Sequence, residues 1–98
     1  MKTFTLYNGV SIPCVGYGTY KVTGEEAVAI VKMALSAGYR HLDTARMYGN
    51  EKEVGQAIKQ SGIARNDIFL TSKVWRTELS YDAVMKSVEG SLQDLDTD

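Results

Sequence analysis

The sequence predicts an α/β fold built on a parallel sheet, because strand-like and helical segments alternate three times after an opening hairpin. Strands that alternate with helices are joined by right-handed crossovers, and two architectures dominate that pattern: the doubly wound sheet and the eight-unit barrel. The first strand-to-helix turn separates them. A dinucleotide-binding sheet places Gly-x-Gly-x-x-Gly directly before its helix. Here Gly16-Tyr17-Gly18 runs into Thr19-Tyr20-Lys21, and the next glycine, Gly24, falls at the wrong spacing. The barrel is the architecture that fits.

A hairpin is expected over residues 5–12, where Thr5-Leu6-Tyr7 and Val10-Ser11-Ile12 flank Asn8-Gly9, a dipeptide that tolerates the positive φ angles of a type I′ turn. After Pro13, the apolar and aromatic run Val15-Gly16-Tyr17-Gly18 reads as a buried strand with Thr19 and Tyr20 at its carboxyl end. Thr23 followed by Glu26 has the form of a capping box. Ala27, Val28, Ile30, Val31, Ala34 and Leu35 then give a broad apolar helical face up to Gly38, which completes a first unit over about residues 15–38. The second unit, about residues 40–62, has the strand Arg40-His41-Leu42-Asp43 and a helix carrying Val54, Ala57 and Ile58. Asn50 with Glu53 is its expected capping pair and Gly62 its stop. The third, about residues 68–95, has a strand from Ile68 to Lys73 and a helix from Ser80, in which Val84, Val88, Leu92 and Leu95 recur at helical spacing.

At 98 residues the chain holds at most one small folding unit. Eleven basic side chains against twelve acidic ones leave a net charge of -1, which offers no field to attract nucleic acid or an anionic membrane surface. Binding must come from a shaped site. Cys14 is the single cysteine, which excludes an internal disulfide and a cysteine-based metal cluster and suits a reducing compartment, so a cytoplasmic location and no bound metal are expected. No apolar run reaches signal-peptide length or the ~20 residues of a membrane span, so the chain is expected to be soluble and away from membranes.

The chemistry lies at the strand ends, where Asp43, Tyr48 and Lys73 are expected. An unperturbed tyrosine titrates near about 10, too high for efficient proton donation near neutrality. A neighbouring cation favours the phenolate and lowers the work of giving up the proton, so the combination points to carbonyl chemistry. Each residue also has a plainer role open to it. Asp43 could cap a loop, Tyr48 could be an aromatic lid on the core, and Tyr20 and Trp75 could simply pack. Lys73 discriminates best, because an ammonium at the end of an apolar strand needs a partner when the site is enclosed. His41, on an apolar strand, reads as a packed and hydrogen-bonded core residue, and Cys14 as packing.

Four ordered blocks carry a further signal. Asn8-Gly9-Val10 with Ile12-Pro13, then Gly16-Tyr17-Gly18-Thr19-Tyr20, then Gly38-Tyr39-Arg40-His41-Leu42-Asp43-Thr44-Ala45 running into Tyr48-Gly49-Asn50-Glu51, and finally Thr71-Ser72-Lys73-Val74-Trp75 together resemble the amino-terminal part of an aldo-keto reductase. The resemblance covers the whole chain. It implies a (β/α)8 TIM barrel, with a hairpin over its bottom and NADPH held across its top. By the same resemblance Tyr48 matches the proton donor, Lys73 and Asp43 the ion pair that tunes it, Thr19 and Asp43 the contacts to nicotinamide and ribose, and Tyr20 and Trp75 the walls of the pocket for a small carbonyl substrate. Most relatives have tryptophan at the Tyr20 position.

One departure matters for this polypeptide. The family's fourth active-site group is a histidine at the end of the fourth strand, and the chain stops at Leu95-Asp96-Thr97-Asp98, where that strand would begin. His41 is not that residue. The later loops that grip the cofactor's phosphates also lie beyond, so the 98-residue chain by itself is expected to be inactive or nearly so. Three strands leave two open edges and exposed apolar faces, which favour self-association. Two functions therefore stand: part of an NADPH-dependent reductase of aldehydes or ketones, or a non-catalytic barrel segment that serves only folding or assembly.

Overall fold

The computed structural model describes residues 2–98. Strands β1 (Thr3–Thr5) and β2 (Ser11–Pro13) pair antiparallel, with Phe4 opposite Ile12. The chain then runs through β3 (Tyr17–Gly18), α1 (Gly24–Ser36), β4 (His41–Asp43), α2 (Glu51–Ser61), β5 (Phe69–Thr71) and α3 (Tyr81–Leu95). β3, β4 and β5 form one parallel sheet in that order, with Tyr17 beside Leu42 and Leu42 beside Leu70. A groove lined by Thr3, Ser11 and Pro13 on one side and by Arg40 and Phe69 on the other puts the hairpin at the amino-terminal ends of β4 and β5.

Successive side chains of a strand point to opposite faces, and β4 shows the consequence. Leu42 is fully buried on the helix side, among Val31 and Leu35 of α1, Val54, Ala57 and Ile58 of α2, and Ile68 and Leu95. Burying one such leucine contributes about 2 kcal/mol. His41 and Asp43, on the other face, are only half-buried. His41 Nε2 lies 3.0 Å from Thr71 Oγ1, and its ring meets Phe69 edge-on at 5.1 Å, which matches the packed and hydrogen-bonded role expected for it.

Local detail departs from the sequence reading in three places. The hairpin turn is not type I′: Leu6 and Val10 still pair through Leu6 N–H to Val10 O, Gly9 N–H bonds Leu6 O, and only Gly9 takes a positive φ, of +85°. A three-residue loop of Tyr7, Asn8 and Gly9 results, the form in which a type I turn is completed by one left-handed residue. Thr23 precedes α1 without any side-chain capping bond, so the expected capping box is not made. Asn50 precedes α2 but does not cap it either, because its side chain is fully engaged elsewhere. By contrast Ser80 does cap α3, accepting from Ala83 N–H at 3.3 Å, and Gly62 ends α2 in the left-handed region at φ +75°.

The apolar stripe of α3 is only partly covered. Leu95 is buried against α2, whereas Val88 and Leu92 remain 40% and 36% exposed. They border a concavity that also takes in Leu70 and Val74, along the side of β5 that has no neighbouring strand.

Candidate active site

Parallel α/β sheets present functional groups at the carboxyl ends of their strands, because the loops there are free to vary while the strands fix their origin. Thr19 follows β3, Asp43 ends β4, and Lys73 follows β5 by two residues. Ladder bonds continue past the strands: Thr19 N–H to Asp43 O at 2.9 Å, Thr44 N–H to Thr71 O at 2.8 Å, and Arg46 N–H to Lys73 O at 3.1 Å. These rungs hold the three chain ends side by side.

Lys73 Nζ donates to Asp43 Oδ1 and, at 3.0 Å, to Thr44 O. It also lies 5.4 Å from the centre of the Tyr48 ring. Partial burial works against the Lys73 charge, but the hydrogen bond and charge of Asp43, aided by Tyr48, outweigh it and hold the ammonium above the ordinary lysine range. Because the two side chains are 47% and 40% exposed, this pair contributes only about 0.5 kcal/mol to stability. Its effect is to keep a charged, oriented ammonium beside a phenol.

Tyr48 closes a short 3-10 turn, Arg46–Tyr48, with its N–H bonded to Ala45 O at 3.0 Å. Its ring meets that of Tyr20 at 5.1 Å with the planes tilted by 51°. The structure therefore brings Asp43, Tyr48, Lys73 and Tyr20 to one place. Thr19 joins them differently: it is fully buried, and its hydroxyl donates to Asp43 O at 3.1 Å, so it presents no polar atom to a ligand. Trp75 is packed under the Arg76 guanidinium at 5.0 Å, and among the described residues no aromatic contact ties it to Tyr20 or Tyr48.

Two residues that sequence reasoning left out of the site hold it together. Asn50, fully buried, accepts the Thr44 hydroxyl at 2.6 Å and donates to the carbonyls of Thr19 and Val22, both at 2.8 Å. It thereby ties the loop bearing Tyr20 to the loop bearing Tyr48. It also braces Lys21, whose φ of +65° costs a non-glycine residue on the order of 1 kcal/mol. Glu51, with a side chain 2% exposed, takes Arg46 Nη1 at 3.1 Å on one oxygen and the Ser72 hydroxyl at 2.6 Å on the other.

The chain matches the Aldo/keto reductase family over residues 14–98. The chain belongs to that family. It is 46% identical over 97 residues to the glyoxal reductase of Bacillus subtilis, covering 98% of this chain and 35% of that protein. A crystal structure of an aldo/keto reductase from Brucella melitensis superposes with a TM-score of 0.95 at 50% identity, over 99% of this chain and 38% of that one. An aldo-keto reductase of Bombyx mori, solved in complex with NADP, superposes with a TM-score of 0.90 at 34% identity, over 99% of this chain and 35% of that one. The chain thus spans about a third of the length of the relatives it matches. In aldo/keto reductase terms its architecture is the hairpin and three βα units of a (β/α)8 barrel, and the family's proteins are oxidoreductases. No helix among the described residues is long and apolar enough to cross a membrane.

Proposed function

We propose that this chain supplies the proton-donating corner of an NADPH-dependent reductase that converts a small aldehyde or ketone to an alcohol, with Tyr48 as the donor. The observation that carries the proposal is the convergence of Lys73 and Asp43 on the Tyr48 ring at the carboxyl ends of parallel strands. A dicarbonyl of glyoxal's size is a reasonable substrate, since the Bacillus subtilis relative is a glyoxal reductase.

The residues present suit a nicotinamide cofactor on one count: Asp43 keeps a partly exposed carboxylate, an acceptor for a ribose hydroxyl. Thr19 would serve the cofactor indirectly, by fixing the Asp43 main chain through its buried hydroxyl. When bound, the cofactor supplies the hydride that reduces the carbonyl carbon. Tyr48 donates a hydrogen bond to the carbonyl oxygen and passes its proton across as negative charge develops there. Lys73 stabilises the phenolate that remains, and Asp43 keeps Lys73 charged and aimed. The Tyr20 ring, packed on Tyr48, walls the substrate on one side. The role of second wall, which the family resemblance gives to Trp75, has no support from its packing under Arg76. By itself the chain is expected to show no turnover, because it spans only about a third of its relatives. Cys14, a free and half-buried thiol, fits a reducing cytoplasm.

The test is a fusion in which residues 1–98 replace the matching segment of the Bacillus subtilis glyoxal reductase. Glyoxal-dependent loss of NADPH absorbance is the expected result. A folded fusion that binds NADPH but reduces nothing would count against the proposal.

A second role is favoured by Val88 and Leu92, which stay exposed beside the free edge of β5. In this role the isolated chain pairs with a second copy of itself through that edge. Sedimentation should show mass rising with concentration, and a monomer at every concentration would exclude it.

A further inference from the structure

The rungs between the Tyr48 loop and the β5 strand end at Arg46 N–H to Lys73 O. Beyond that rung, among the described residues, the hydrogen bonds from residues 43–51 to residues 69–75 are those of the Lys73 ammonium and one other, from Ser72 to Glu51. Ser72 stands next to Lys73. Arg46, on the second oxygen of the same carboxylate, stands two residues before Tyr48. Glu51 therefore touches both chain segments that must be kept in register for an ammonium to lie over a phenol.

The bridge is built for rigidity. Glu51 sits in the first turn of α2, where a carboxylate is favoured by the helix dipole, and its side chain is almost wholly withdrawn from water. A buried carboxylate requires hydrogen bonds on both oxygens, and Arg46 and Ser72 supply one each. Arg46 is anchored in turn by Asp94 of α3 at 2.7 Å, and its guanidinium fills the space a side chain would take at Gly90. With Asp94 and then Glu51 on it, Arg46 is held above the ordinary arginine range, so the guanidinium stays charged. Helices α2 and α3 thus both bear on the separation of Tyr48 and Lys73.

We infer that Glu51 is a positioning residue that sets the distance between the Lys73 ammonium and the Tyr48 ring, acting through Ser72 on one side and Arg46 on the other. The inference rests on the proposed role of Tyr48 and Lys73 for its importance, but its geometry is measurable without turnover. The experiment is solution NMR on the 98-residue chain, reading through-space cross-peaks from the Lys73 side chain to the Tyr48 ring and the titration of the Lys73 ammonium. Ser72→Ala removes one arm and leaves every charge in place. Arg46→Met removes the other, so one folded variant suffices.

The expected result for Ser72→Ala or Arg46→Met is loss of the Lys73-to-Tyr48 cross-peaks, with the Lys73 ammonium of Ser72→Ala titrating at lower pH than in the unaltered chain. Ser72→Thr keeps a hydroxyl and should restore both. Cross-peaks that persist in the folded variants, or that Ser72→Thr fails to restore, would overturn the inference. Tyr48→Phe keeps the ring and so the cross-peaks, whether or not Tyr48 gives up a proton. Failure of the positioning role and failure of the reductase proposal therefore give different results.

Discussion

Gly55→Ala in α2 sets two effects of opposite sign against each other. Alanine is better than glycine in a helix interior by about 1 kcal/mol, so propensity alone makes the variant more stable. Yet a Cβ at residue 55 would lie 2.6 Å from Leu95 O and 2.8 Å from Leu95 C and Cα. Those are main-chain atoms at the end of α3, and they cannot swing aside as a side-chain tip can. Ordinary contact begins at 3.4 Å, so α3 must retreat by roughly 0.8 Å at its carboxyl end. Overpacking of this kind costs roughly 1–3 kcal/mol, and the retreat also loosens Leu95, which is only 6% exposed. Net destabilisation of up to about 2 kcal/mol is expected, or a fall in Tm of up to roughly 15 °C for a domain of this size. Urea and thermal unfolding followed by circular dichroism measure it, with the exposed neighbour Gln56→Ala as control. A Gly55→Ala chain that melts about 1 kcal/mol more stably than the unaltered one would show that α2 and α3 do not meet as described.

Further outcomes follow from the same contacts. Asn50→Ala leaves the Val22 carbonyl and the Thr44 hydroxyl without their Asn50 partner, and the Thr19 carbonyl with the Val22 N–H alone, and urea unfolding should record a loss of about 3 kcal/mol; a change under about 1 kcal/mol would contradict the buried network. Lys73 titrates higher in the folded chain than in the unfolded one. Its contribution is therefore complete below the unfolded value near about 10.4 and fades as pH rises through the folded value. Unfolding measured from neutral pH upward should show that loss, no more than about 1 kcal/mol for so exposed a pair, and Asp43→Asn should remove it. Ser80→Ala should cost about 0.5 kcal/mol, at the low end for a helix cap because the bond is long and exposed, and no change in unfolding would show that the cap is not made in solution.

Much of this arrangement is legible in the residue order, for physical reasons that also mark where legibility stops. Lys73 stands out because a charged group at the end of the apolar run Ile68–Leu70 has to find a partner, and the partner proves to be Asp43. The alternation of strands and helices sends Asp43 and Lys73 to the same end of the sheet, so their proximity follows from topology. Asn50 is misread because an asparagine before a helix suits a cap as well as it suits a core. Its real partners lie at Thr19, Val22 and Thr44, as far as 31 residues away along the chain. Nothing local to Arg46 and Glu51 reveals that Ser72 and Asp94 close around them. Periodicity finds the apolar stripe of α3 but not what covers it, which is why Leu95 is buried while Val88 and Leu92 are not.

The measurement that bears most directly on the proton-donor role is kcat for glyoxal in the fusion with the Bacillus subtilis barrel, compared between the unaltered chain and Tyr48→Phe. Removing one hydroxyl should lower kcat by roughly 10²–10⁴-fold, the usual worth of a general acid, while the affinity for NADPH stays the same. Equal turnover by the two proteins would mean that the proton comes from another group and that the pairing of Lys73 with Tyr48 serves no chemistry.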